Sequence, residues 1–130
     1  MRRLIALGLV SAALSGCANK GDGAMPGAQS PERQSEGEYD LAKEAFYKGD
    51  VRESLGHVRK AVELDEENSK ALYFAAAIHL SFCVQGTDSP DCRLADAEGY
   101  ARRALKVDEH YHDARNLLGQ VLILMKRHQE

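Results

Sequence analysis

Three cysteines (Cys17, Cys83, Cys92) and five histidines (His57, His79, His110, His112, His128) are the residues whose types could do chemistry here. A thiolate can ligate a metal, attack an electrophile, carry a lipid or close a disulfide. Cys83 and Cys92 lack the Cys-x-x-Cys spacing of a redox pair. His110-Tyr111-His112-Asp113 is the one ligand-like cluster. Residues two apart at a helix start do not share a face, and no further His or Cys is near in sequence. A solvated turn is the expected reading, and no metal site is expected. The sequence carries no nucleophile elbow, phosphate-binding glycine loop or zinc-protease pattern. Neither catalysis nor a cofactor is expected.

The chain has 130 residues, enough for one domain rather than two. Apolar residues make up 44% and charged residues 28%, the balance of a soluble folded protein. Lys plus Arg is 17 against Asp plus Glu 20, a formal charge of -3. That argues against a nucleic-acid binder, which needs a basic face to neutralise phosphates. Aromatics are 6% with no Trp, which gives no base-stacking platform. A small binding module fits these limits better than an enzyme with a deep pocket.

Cys17 closes a different kind of segment. Met1-Arg2-Arg3 is basic, Leu4 to Leu14 is mostly apolar, and Ser15-Gly16 precede the cysteine. Such an apolar run spans about 16 Å as a helix, roughly half a bilayer's hydrocarbon core. It reads as a signal peptide over 1–16 and not as a membrane span. Leu14-Ser15-Gly16-Cys17 resembles the lipobox of bacterial lipoproteins. The resemblance implies cleavage before Cys17, whose sulfur then carries a diacylglyceryl group and whose amine is acylated, palmitate among the chains. Two or more chains make attachment stable where one does not. Residue 18 is Ala, not the Asp that retains many such lipoproteins in the inner membrane. The implied location is the outer membrane, facing the periplasm. Residues 17–35, with Gly and Pro but almost no large apolar side chain, read as a flexible tether reaching about 20–25 Å.

From residue 36 to 130 the composition suits helix, interrupted by one short loop. Gly56, Ala61, Asp65 and Ala71 recur 43 residues later as Gly99, Ala104, Asp108 and Ala114. Arg59 to Glu66 and Arg102 to Glu109 match nearly position for position. This is an internal repeat. Ala45-Phe46-Tyr47-Lys48-Gly49-Asp50 and Lys60-Ala61-Val62-Glu63-Leu64-Asp65 resemble the turn and second-helix signatures of the tetratricopeptide repeat. Glu66 and Glu109 stand where that family commonly has Pro, and Ser54 where it has a small Ala, restored as Ala97. The resemblance implies an all-α array of about two and a half repeats built from antiparallel helix pairs. Amphipathic patterning alone predicts five helices, at about 37–48, 51–64, 69–84, 92–106 and 110–127. Leu41, Ala42 and Ala45 share one apolar stripe, and Leu55, Val58, Ala61 and Val62 another. Gly49-Asp50 supplies a left-handed turn residue and a cap. Ala61, Ala76, Ala104 and Gly119 are expected where helices approach closely, with Leu64, Leu72 and Leu118 filling the rest.

The period exceeds the family's 34 residues. At the family's spacing, Cys83 takes the place of Gly49 when the copies are aligned from the left, and Cys92 takes it from the right. The excess is an inserted loop, 84–92, with a cysteine at each foot. That geometry suits a disulfide, which needs Cα atoms about 4.4–6.8 Å apart, and an oxidising compartment would favour it. A redox pair, a metal site and free thiols are the alternatives.

Carrying the family's concave surface over to this chain implies a peptide-binding groove. The first helix would contribute Tyr39, Lys43 and Phe46, the third Tyr73, Ala77 and Leu80, and the fifth Asn116, Gln120 and Ile123. The carboxylate clamp of chaperone-binding relatives is not reproduced. Ordinary packing is the alternative for Tyr39, Phe46 and Tyr73. The last helix carries Val121-Leu122-Ile123-Leu124-Met125, apolar all round. Leu117, Ile123 and Leu124 are expected to form an exposed face for a partner or a second copy. The expected function is a lipid-anchored envelope scaffold for protein–protein interaction. The plan resembles tetratricopeptide lipoproteins that assist assembly of the type IV pilus secretin. A regulatory subunit for a cell-wall synthase or hydrolase is the alternative.

Overall fold

The computed structural model describes residues 27–84 and 86–129, with side chains through 126. The signal-peptide reading, Cys17 and most of the tether lie outside the described residues. Five helices follow in order: α1 (Pro31–Tyr47), α2 (Val51–Leu64), α3 (Ser69–Ser81), α4 (Leu94–Val107) and α5 (His112–Gln129). Among the described residues there is no strand, so the all-α expectation and the number of helices hold. No described helix is long and apolar enough to cross a membrane.

α1 begins six residues before the expected 37, and residues 31–35 are therefore helix rather than tether. Ser30 accepts a hydrogen bond from the Arg33 N–H at 3.4 Å, and Pro31 occupies the first turn, where its missing N–H costs nothing. Ser35, at the end of the expected tether, is fully buried and donates to the Ala61 carbonyl at 2.8 Å. Averaged composition concealed this cap.

Gly49 takes φ +87°, and Asp50 then caps α2 by accepting from the Glu53 N–H at 3.0 Å. Asn68 caps α3 through the Ala71 N–H at 3.0 Å. α3 stops three residues short of the expected 84, because the Cys83 and Val84 N–H groups donate to carbonyls only three residues back. The inserted segment is correspondingly longer than 84–92, and α4 starts at Leu94.

α1 packs chiefly on α2 and α3 on α4, while α2 meets α3 and α5 lies on α4. One core cluster joins Ala42, Val58, Ala61, Leu72, Ala75 and Ile78, and a second joins Ala76, Ala97, Ala101, Leu117 and Val121. Alanine at so many contacts lets backbones approach, and the few large side chains fill what remains. Ser54, where a small Ala was the expected residue type, is buried and donates to the Ala42 carbonyl at 2.7 Å. A buried hydroxyl with its partner in place costs little. Two expectations fail. Leu41 is 45% exposed, at the edge of its stripe. A Cβ on Gly119 would meet nothing within 4 Å, so no helix approaches there.

Candidate binding surface

The expected groove residues divide into two groups. Tyr39 and Phe46, two turns apart on α1, both meet Phe74 of α3 edge-on, with centroids 5.7 and 5.6 Å away. Edge-to-face geometry sets the positive rim of one ring against the negative face of another. Lys43 lies between them in sequence, its Nζ 4.6 Å from the Tyr39 centroid and 2.8 Å from Asp40 Oδ1. The Asp40 carboxylate raises the Lys43 ammonium above its ordinary value. Tyr73, the next residue along from Phe74, meets Tyr111 at 5.1 Å. All these rings pack on the core while remaining partly exposed.

Asn116 and Gln120 stand exposed on α5, outside these ring contacts. The structure thus brings Tyr39 and Phe46 together through Phe74, with Lys43 over the Tyr39 ring, and leaves the two amides on α5. Leu117 is 6% exposed and belongs to the second core cluster, so its assignment to an exposed face is wrong. It shares a face with Val121 one turn on, and both turn toward Ala97 and Ala101. Ile123 is 55% exposed, as expected, and Leu124 is half-buried.

Phe74 and Tyr111 were not among the expected site residues. α3 is apolar almost all round, so periodicity cannot say which side faces the groove. Tyr111 sits in the segment read as a solvated turn. His110 there is indeed exposed, but burial pushes the Tyr111 hydroxyl up to about 12, with Tyr39, Tyr73 and nearby aspartates adding to it.

Beside Tyr39 and Lys43 opens a depression of about 400 Å³ between α1 and the α2–α3 turn. Glu32, Glu36, Asp40, Asp65 and Glu67 line it against Lys43 and Lys70, so its rim is acidic. A basic side chain would be attracted there. On the opposite side of α1, Glu38 accepts from His57 Nδ1 at 2.7 Å and from Lys60, and these partners hold its carboxyl below the usual carboxylate value.

Cys83 and Cys92 are joined, with Cα atoms 4.6 Å apart. Their disulfide closes the segment between α3 and α4. Among the described residues no group of His, Cys, Asp and Glu has the arrangement of a metal site.

Fold and surface define a small all-α domain with a disulfide-closed loop and a half-exposed aromatic face. No protein-family model matches the chain, and no curated protein matches it.

Proposed function

We propose that this chain is a non-catalytic, lipid-anchored scaffold of the bacterial envelope that holds a segment of another protein against α1 and α3. The reading rests on one observation above others: Tyr39, Phe46 and Phe74 form a partly exposed aromatic patch beside an acidic depression. Aromatic anchors next to unlike charge suit a peptide with an apolar side chain and a Lys or Arg neighbour. The repeat 43 residues apart and the motifs resembling tetratricopeptide repeats support a helical-repeat arrangement. Lipid at Cys17 would keep that surface near a bilayer. The narrower proposal is assistance to a type IV pilus secretin.

The test has two arms. Labelled palmitate should mark the chain in cells, and Cys17→Ser should release it from membranes. A photo-crosslinking residue at Asp40 should trap an envelope protein, and Tyr39→Ala with Phe46→Ala should abolish the trap. Absence of palmitate would end the anchor reading. A crosslink indifferent to both aromatic changes would end the groove reading. A trapped cell-wall synthase or hydrolase, in place of a secretin, would replace the narrower proposal.

A further inference from the structure

His79 is 1% exposed, and both ring nitrogens are sealed from solvent with no hydrogen-bond partner among the described residues. Buried polar groups are seldom left so, because an unmade hydrogen bond costs the group its full desolvation. Tyr100 of α4 stacks on the imidazole, with centroids 5.7 Å apart and planes 16° from parallel. Packing alone does not call for a histidine here. Leu122 stands 43 residues on, at the equivalent place in α5, so the repeat accommodates an apolar side chain at this position. What His79 adds is a group that changes its charge near neutral pH.

A proton on the closed ring would find no acceptor. Asp96 of α4 is the carboxylate that favours a positive ring, and it is already 3.5 Å from Arg93. Arg59 of α2 and Arg93 at the start of α4 oppose such a charge. Arg52 of α2 and Asp91 of the disulfide-closed segment pair with each other at 2.8 Å. Burial first, then the two arginines, hold the imidazole below its ordinary value against the pull of Asp96.

The chain on either side of this ring is weakly terminated. α3 ends two residues after His79, and the Cys83 and Val84 N–H groups donate to carbonyls only three residues back. α4 begins after Arg93, which offers no side-chain acceptor to the first-turn N–H groups. Local opening begins at such ends. The Cys83–Cys92 bond keeps the two feet of the segment together, so an opened junction can reclose without a long search.

We propose that the α3–α4 junction is an acid-operated latch, closed around the neutral His79 ring and opened when the ring leaves its pocket and takes up a proton. In the open junction the ring binds a proton at its ordinary value, about 6.5. The closed junction binds it less readily, so the closed form loses ground as pH falls through that value. The open population then rises up to about tenfold for each pH unit, until the closed ring itself titrates. Above that value one proton fewer is at stake and the latch is insensitive to pH. The device is independent of the aromatic face and of lipid at Cys17.

The test uses the full chain with its disulfide intact. Amide hydrogen exchange, read by mass spectrometry between about pH 7.5 and about pH 5 and corrected for the intrinsic pH dependence of exchange, reports the open population of each segment. Peptides spanning the end of α3 and the start of α4 should gain up to about tenfold per pH unit below about 6.5, and peptides of α1 and α2 should not. His79→Leu, the residue type of the equivalent position in α5, should flatten the profile at the junction. His79→Gln, a polar side chain that takes up no proton in this range, should flatten it too and serves if the leucine variant alters the helical circular dichroism. Junction exchange that does not change with pH in the wild-type chain overturns the proposal. So does a rise that His79→Gln leaves intact, and so does one shared equally by α1 and α2.

Discussion

Asp65 and Asp108, 43 residues apart, end α2 and α4 with the same turn. Each is extended (φ -145°, ψ 100° and φ -133°, ψ 98°), and each donates its N–H to an alanine carbonyl four residues back. Each Oδ1 accepts at 3.0 Å from the N–H two residues on, of Glu67 and His110 respectively. An aspartate there satisfies a backbone donor that the departing helix cannot reach. Asp65→Ala and Asp108→Ala should each lower stability by about 0.5–1.5 kcal/mol. Urea unfolding of the two variants checks this, and a neutral effect at one site alone would show that the turns are not energetically equivalent.

Ser35 ties the start of α1 to the end of α2 and to Asn68, whose Nδ2 donates to its hydroxyl at 2.9 Å. Ser35→Ala leaves a carbonyl and an amide without their partner and should cost about 1–3 kcal/mol. The midpoint of chemical unfolding should fall with the slope unchanged.

Cys83→Ser combined with Cys92→Ser removes a cross-link closing a short loop. The chain-entropy account gives a loss of about 2–3 kcal/mol. Reduction of the wild-type chain should produce the same fall in urea midpoint, and the double variant should be insensitive to reductant.

Glu38 has its folded pKa depressed by Lys60 and His57. A depressed carboxyl stabilises the fold above its unfolded value, near about 4.3, and that contribution fades as pH falls through the lower folded value. Glu38→Gln should therefore reduce the thermal midpoint at pH 7 and make progressively less difference below about pH 4. An equal deficit at pH 7 and at pH 3 would assign the effect to packing instead.

Tyr111, its ionisation pushed up to about 12, should remain protonated when exposed tyrosines have lost their protons. Burial also raises Tyr73, so absorbance at 295 nm during alkaline titration would show a late phase, and Tyr111→Phe should remove its latest part. A titration complete by about pH 11 would contradict the burial of this ring.

The helix count, the Gly49-Asp50 turn and the pairing of Cys83 with Cys92 were legible in the amino-acid order, because each depends on local periodicity, a cap or a repeat offset. The start of α1 was equally local, but Ser30-Pro31 lay inside a stretch whose average composition favoured a coil. Other features are tertiary. Leu117 and Ile123 are both large, apolar and on α5, yet only the position of α4 decides that one is core and the other exposed. Phe74 and His79 sit in a helix apolar on nearly every side, where no pattern distinguishes a groove from an interior. Their surroundings follow from which helices close around them: Phe74 gains Tyr39 and Phe46 as neighbours, and His79 gains the Tyr100 ring. Periodicity records that a side chain leaves water, but the identity of what it meets depends on chain segments distant in sequence.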